Sequence, residues 1–414
     1  MDPLTIPELL STVCNHLDKP SLLSASLVSR LWSAVCKPLV WQQCSFTAER
    51  YNTNHIVFND NAHLIRSMDA RRRLIGGDMR FIAQQCVNLR VLKLINCRMT
   101  PASFDVLCDG IPQVHSMTLE YCLGVNSRMA SKLTRLTHLS SLSIMVHAQE
   151  RGEGDWREDD MVLLLARSPL RSLHILGPDL SHVHLRGLER STEFLQLAHL
   201  YLVSTFISQY ALAVLLQKSP GLATLVLLHN AIKNTTVQTI AENCTTLTHL
   251  SLRQAKSVST AGFESVFKKS QWLRCLDISF TLVQDAAVTT LARHCPRLQV
   301  LSMSHCTRLT HVGLWELLSN LPDLQDLCLC GCTKLKVEGV SGKEIWACQG
   351  SLEVIDISQI GIRVGIDPLD ALIGHLLSLT RLKVLRVDEG LFPKDLFPQA
   401  VYPDHDTSQS QSRA

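Results

Sequence analysis

Three cysteines stand at alternate positions, Cys328, Cys330 and Cys332, in the stretch LQDLCLCGCTKL (324–335). Thiolates at that spacing invite a zinc reading, but a tetrahedral site needs further ligands, for which His305 and Asp356 are the nearest candidates. Elsewhere the chain has no phosphate-cradling P-loop, no G-x-S-x-G, no H-E-x-x-H and no paired C-x-x-C. The seventeen histidines are scattered and form no triad. Neither a catalytic constellation nor a metal or other cofactor is expected. The chemistry that remains is that of binding surfaces.

Composition narrows what those surfaces can bind. Forty basic and thirty-seven acidic residues leave a net charge of +3 in 414 residues. That is too small to argue for nucleic acid or an anionic membrane. Arg71-Arg72-Arg73 is a short basic cluster and reads as a solvated face. The opening MDPLTIPELL lacks the basic and apolar regions of a secretory signal, and apolar runs such as MVLLLA (161–166) are far too short to span a bilayer. Fifteen cysteines, an odd number, read as reduced and mostly buried thiols. The expected location is the cytoplasm, the nucleus or both.

The elements that position any site come from an internal repeat. The template L-x-x-L-x-L fits LRVLKL (89–94), VHSMTL (114–119), LSSLSI (139–144), LRSLHI (170–175), LAHLYL (197–202) and LATLVL (222–227). It continues through LTHLSL (247–252), LRCLDI (273–278), LQVLSM (298–303), LQDLCL (324–329), LEVIDI (352–357) and LKVLRV (382–387). Successive starts lie 25–31 residues apart, and IRSMDA (65–70) is a weaker copy in front. Each unit reads as a strand with positions 4 and 6 inward, then a turn, then an amphipathic helix such as DAAVTTLARHC (285–295). Ordering a residue costs roughly 1–2 kcal/mol, whereas a buried aliphatic returns about 1.5–3 kcal/mol. One repeat is therefore unstable alone, and stacking is required.

Eight residues after a repeat start lie Cys97, Cys122, Asn230, Thr281, Cys306 and Cys332. Three residues before a start lie Cys86, Cys244 and Cys295, with Ser219 and Ser270 as equivalents. This pattern resembles the cysteine-containing class of leucine-rich repeats over residues 65–390. The resemblance implies an α/β fold, a right-handed solenoid with parallel strands on a concave face and helices on a convex face. Cys332 then becomes a structural residue, while Cys328 and Cys330 fall on the concave surface.

The first segment, TIPELLSTVCNHLDKPSLLSASLVSRLWSAVCKPLVWQQ (5–43), breaks the period and reads as three short helices. Thr5 and Glu8 suit a capping box, Pro20 opens the second helix and Ser29 caps the third. Leu9, Leu10, Val13 and Leu17 recur at helical spacing. So short a chain makes a marginal core by itself, and part of its apolar surface is expected to pack on a partner. Ile6-Pro7-Glu8-Leu9-Leu10, Leu17, Leu22-Leu23, Leu27-Val28-Ser29, Trp32 and Trp41 resemble an F-box, with Ile-Pro in place of the usual Leu-Pro. That resemblance implies docking on the linker subunit of cullin-based SCF ubiquitin ligases, and through it on a cullin. It assigns Ile6, Pro7, Leu10, Leu17, Leu22, Leu23 and Val28 to the linker. The expected layout is a helical domain (3–46), a connector (47–64), the solenoid (65–388) and a cap with a disordered tail (389–414).

Repeat positions 5, 7 and 8 supply the candidate face for a protein substrate: Tyr201, Val226, Leu228, His229, Arg253, Asp277, Phe280 and His305. An aliphatic and aromatic centre with a polar border suits a protein-binding hot spot. An acidic insertion, HAQERGEGDWREDDM (147–161), reads as a loop with an exposed Trp156, and a terminal repeat is expected to begin its helix near Asp367-Pro368. The functional expectation is a non-catalytic substrate receptor acting by proximity. The alternative is a ligase-independent interaction scaffold.

Overall fold

The computed structural model describes residues 7–47, 60–71, 76–146, 156–335, 346–360, 370–388, 396–397 and 400–401. Two compact units make up the chain, Met1–Gln196 and Leu197–Ala414. The first begins with three helices, α1 (Pro7–Cys14), α2 (Lys19–Ala25) and α3 (Arg30–Gln42). Asp18 caps α2 by accepting from the Ser21 N–H (3.0 Å), and Ser29 caps α3 by accepting from the Trp32 N–H (3.3 Å). These caps satisfy orphan donors and set both helix starts. Thr5 lies outside the described residues. Leu10, Cys14, Leu22, Cys36 and Val40 form the buried centre, flanked by half-buried Leu17, Trp32 and Trp41.

α3 stops at Gln42, and the chain passes at once into β1 (Gln43–Thr47), which pairs in parallel with β2 (Ser67–Arg71). The amine of Lys19 donates to the Gln43 carbonyl (3.0 Å) at this junction. After β2 come α4 (Gly76–Gln85), β3 (Val91–Ile95), α5 (Pro101–Gly110), β4 (Ser116–Glu120), α6 (Ser127–Lys132), β5 (Ser141–Met145), α7 (Glu158–Arg167), β6 (Ser172–Leu176) and α8 (Arg186–Arg190). The strands follow chain order and every pairing from β1 to β6 is parallel.

The second unit repeats the plan with β7 (His199–Val203), α9 (Gln209–Gln217), β8 (Thr224–Leu228), α10 (Asn234–Asn243), β9 (His249–Ser251), α11 (Thr260–Lys269), β10 (Cys275–Asp277), α12 (Asp285–His294), β11 (Val300–Ser302), α13 (His311–Asn320), β12 (Asp326–Cys328), β13 (Val354–Asp356), α14 (Asp370–Ser378), β14 (Val384–Arg386) and β15 (Ala400–Val401). In-register pairing aligns Leu250, Leu276, Leu301, Leu327, Ile355 and Leu385 in one row, all essentially inaccessible to solvent. The α/β repeat array is therefore present, and its cohesion comes from leucine rows that no single repeat can bury.

The recurring thiols and amide tie one repeat to the last. Cys97 donates to the Ala70 carbonyl (3.6 Å), Cys122 to Leu94 (3.3 Å), Cys306 to Ile278 (3.3 Å) and Cys332 to Met303 (3.0 Å). Asn230 does the same with its Nδ2 on the Leu202 carbonyl (2.8 Å). At the other recurrent position, Cys295 donates to the Ser270 carbonyl (3.4 Å). Burial pushes the Cys86, Cys244 and Cys295 thiols up to about 12, so they stay protonated donors.

Two expectations are corrected. Trp156 is buried, 3% exposed, with its carbonyl accepting from His182 Nε2 (2.8 Å). Glu158, Asp159 and Asp160 are the first turn of α7, where their charges complement the helix dipole, so that part of the insertion is not a loop. Residues 147–155 lie outside the described residues. Asp367-Pro368, the expected start of the last helix, also lies outside them, and that helix is described over Asp370–Ser378.

Candidate functional site

Two surfaces are left over once the cores are accounted for. On the helical segment the apolar residues outnumber the inward positions. α1 turns Leu10 and Cys14 inward, and its neighbouring stripe, Leu9 and Val13, is left exposed. Leu23, Leu27 and Val28 do the same at the end of α2, where Leu27 is 87% and Val28 67% exposed. Five large apolar side chains within twenty residues of sequence are left exposed, an apolar surplus of the kind that marks a protein contact.

The residues assigned to a linker subunit divide accordingly. Leu23 and Val28 belong to the exposed surplus, and Pro7 is exposed at the start of α1. Leu17 is half-buried against the helical core. Leu10 and Leu22 face inward and are corrected to core residues, because they share a layer with Cys14, Cys36 and Val40. Ile6 lies outside the described residues. Leu9, Val13 and Leu27 are further apolar residues left exposed. For α1 the signal was in the sequence: Leu9, Leu10, Val13 and Cys14 within its eight residues cover a wider arc than one packed layer can bury.

On the second unit, half-buried side chains of alternate strand positions form the sheet face turned from the core. Tyr201 pairs with Val226 and Val203 with Leu228 across β7 and β8, which makes an apolar stretch. Further along, four of the named residues meet. The Arg253 guanidinium lies over the Phe280 ring, 4.6 Å from its centroid, and 3.9 Å from the Asp277 carboxylate. The Phe280 ring stacks on the His305 ring at 4.5 Å and 24°. Asp277 also accepts from the Ser279 N–H (2.9 Å), and Ser279 shares a hydrogen bond with Ser302 (2.8 Å).

Backbone geometry explains why these rings meet. The eighth repeat position is left-handed in one repeat after another: Tyr121, His229, Gln254, Phe280 and His305 all have φ between 53° and 64°. Each bend keeps the N–H in the ladder, as in Phe280 to Ser304 (2.8 Å) and His305 to Cys330 (2.7 Å). Side chains at this position therefore fall in line from one repeat to the next. Gly331, with φ 72°, ends the stack, since a Cβ there would stand 2.3 Å from His305 Nδ1. Burial, then the nearby Arg253 charge, holds the His305 imidazole below its ordinary value, which favours the neutral ring. His229 is exposed, and no contact joins it to this cluster.

Cys328 and Cys330 are half-buried on the same face, and Cys328 shares a hydrogen bond with Ser304 (3.0 Å). Among the described residues no three of His, Cys, Asp or Glu are grouped to hold a metal ion. Burial raises both thiols above their usual range.

Comparison with known proteins gives three findings. Residues 7–47 match the family model described as F-box-like. No curated protein matches the chain. Among solved structures, the crystal structure of the Rad7 and Elc1 complex in yeast contains a chain of similar fold, 15% identical, with TM-score 0.54, covering 98% of this chain and 94% of that one. An internalin (inlF) from Listeria monocytogenes is also 15% identical, with TM-score 0.46, covering 86% of this chain and 95% of its own.

Proposed function

From an F-box-like domain joined to a leucine-rich-repeat array, we propose that the chain is a substrate-recognition subunit of an SCF-type cullin ubiquitin ligase. The observation that carries this reading is the exposed apolar surface of Leu9, Val13, Leu23, Leu27 and Val28 on the segment that matches the F-box-like model. That surface suits a linker subunit, which would connect the chain to a cullin. The similar yeast structure, solved as a complex of Rad7 and Elc1, supports a partnered role. The repeat array then holds a protein substrate and raises the effective concentration of its lysines near activated ubiquitin. The work is binding rather than catalysis, in the cytoplasm or nucleus.

The short passage from α3 into β1 favours this use, because docking at the helices passes into a strand with no intervening linker. The test is titration of purified chain with the purified SCF linker subunit by calorimetry. Wild type binds, and the Leu23→Asp/Leu27→Asp variant, which changes only exposed positions, loses binding while keeping its helical circular dichroism. Absence of wild-type binding, or equal binding by the variant, overturns the reading in favour of a ligase-independent scaffold.

A further inference from the structure

The loops that leave the strands of the second unit carry a line of cations that make no ion pair among the described residues. Lys233 follows β8, Lys256 follows β9, Arg308 follows β11 and Lys334 follows β12, and all four are exposed. Parallel strands place every strand-to-helix loop at the same edge of the sheet. None of the four enters an ion pair among the described residues. The helices that begin at this edge add little negative charge. The first turns of α10, α11 and α13 contain no acid.

The exception is Asp285 at the start of α12, and its carboxylate is engaged inside the fold. Oδ1 accepts from the Thr310 N–H (2.9 Å) and Oδ2 from the Thr310 hydroxyl (2.6 Å). Arg308 and Lys334 line an open cleft of about 480 Å³ with Gln284, Asp285 and Ala286. The Arg253–Phe280–His305 stack stands at the same edge.

We propose that this edge docks an extended, carboxylate-rich segment of a protein partner, with Lys233, Lys256, Arg308 and Lys334 as its charge contacts. The proposal rests on the receptor reading above and names the substrate class. Neighbouring repeats recur at about 4.8 Å on the strand side and about 8–10 Å on the helix side. Alternate side chains of an extended segment recur at roughly 6.6 Å, within that interval, so acidic residues at every second position can meet the neighbouring pairs Lys233 with Lys256 and Arg308 with Lys334. A single-stranded nucleic acid fits less well. Such strands are held by bases stacked on free aromatic faces, and Phe280 is covered by Arg253 from one repeat and His305 from the next.

Fluorescence anisotropy of the full chain with a labelled alternating Glu-Ser peptide tests the site, with a Lys-Ser peptide and a thymidine oligonucleotide as competing probes. Saturable binding of the acidic peptide is expected, weakening as salt rises. Arg308→Glu/Lys334→Glu should weaken it by roughly tenfold or more, and the milder Arg308→Gln/Lys334→Gln by less. Lys269→Glu/Arg274→Glu, which makes the same charge change at exposed positions of the opposite edge, should leave it unchanged. Circular dichroism confirms that each variant is folded. Equal weakening by both Glu variants, no acidic-peptide binding, or tighter binding of the oligonucleotide through the same cations overturns the proposal. Linker-subunit titration of the same samples separates the two readings: peptide binding without linker binding defeats the receptor role alone.

Discussion

Helices α1–α3 and the repeats of the second unit are built from the same aliphatic vocabulary, yet they leave opposite kinds of surface. Three short helices can bury only one layer, so Leu10, Cys14, Leu22, Cys36 and Val40 go inward while Leu9, Val13, Leu23, Leu27 and Val28 stay in water. A strand alternates, so every second residue goes to the core and the others are free to be polar. There Ser279 bonds Asp277 and Ser302, Ser304 bonds Cys328, and Arg253, Phe280 and His305 stack. A surplus of apolar surface calls for a partner to cover it. A face already satisfied internally selects a partner by charge and shape instead.

The sharpest way to break that comparison is to remove one core leucine from each region. Leu10→Ala and Leu276→Ala should each cost about 2–5 kcal/mol, but with different reach. Hydrogen exchange should show protection lost through residues 7–42 for Leu10→Ala, with the urea transition of the repeats unmoved. For Leu276→Ala the main transition should shift to lower urea. If Leu10→Ala moves the repeat transition equally, the helical core is not a separate weak point.

Gly331→Ala probes the left-handed line that aligns the stack. The backbone conformation costs a Cβ-bearing residue about 1–2 kcal/mol, and the clash with His305 about 1–3 kcal/mol more. Gly350→Ala is the comparison, with nothing within 4 Å of the added Cβ and no positive φ. The urea midpoint should fall for the first and hold for the second; equal midpoints would mean that the His305 ring moves aside freely.

Cys306→Ala is the milder test of the inter-repeat bonds. Loss of the donor to the Ile278 carbonyl should cost about 1 kcal/mol, and an unchanged midpoint would leave these thiols as mere space fillers. The smallest effect concerns pH. The folded-state value of His305 lies below its ordinary 6.5, so the native state binds fewer protons than the unfolded chain just below that value. Its contribution is complete above pH 6.5 and is lost as pH falls toward the folded-state value. His305→Gln should flatten the decline in urea midpoint below pH 6.5, and an unchanged slope would show that the ring is not shielded.

How far the sequence could be read differs between these regions for physical reasons. The repeat was legible because its register is carried by rows such as Leu276, Leu301 and Leu327 and by Cys97, Cys122, Cys306 and Cys332 at fixed offsets. In the helical segment the apolar periodicity showed three helices but not their rotation, so it did not tell that Leu10 and Leu22 face inward while Leu9, Val13 and Leu27 stay exposed. Trp156 failed for another reason: its glycine-containing, acidic neighbours suggested solvent, while burial depends on residues such as His182 that lie 26 positions away.

By itself the sequence determined the architecture, the strand alternation and the positions that must be small or thiol-bearing, because each follows from local period and volume. Tertiary structure alone decided which of several apolar residues faced inward, that Phe280 would be closed between Arg253 and His305, and that Lys233, Lys256, Arg308 and Lys334 would share an edge with no ion pair among the described residues. Those outcomes depend on the phase between neighbouring elements. Residues about 25 positions apart become neighbours only when parallel strands stack in register.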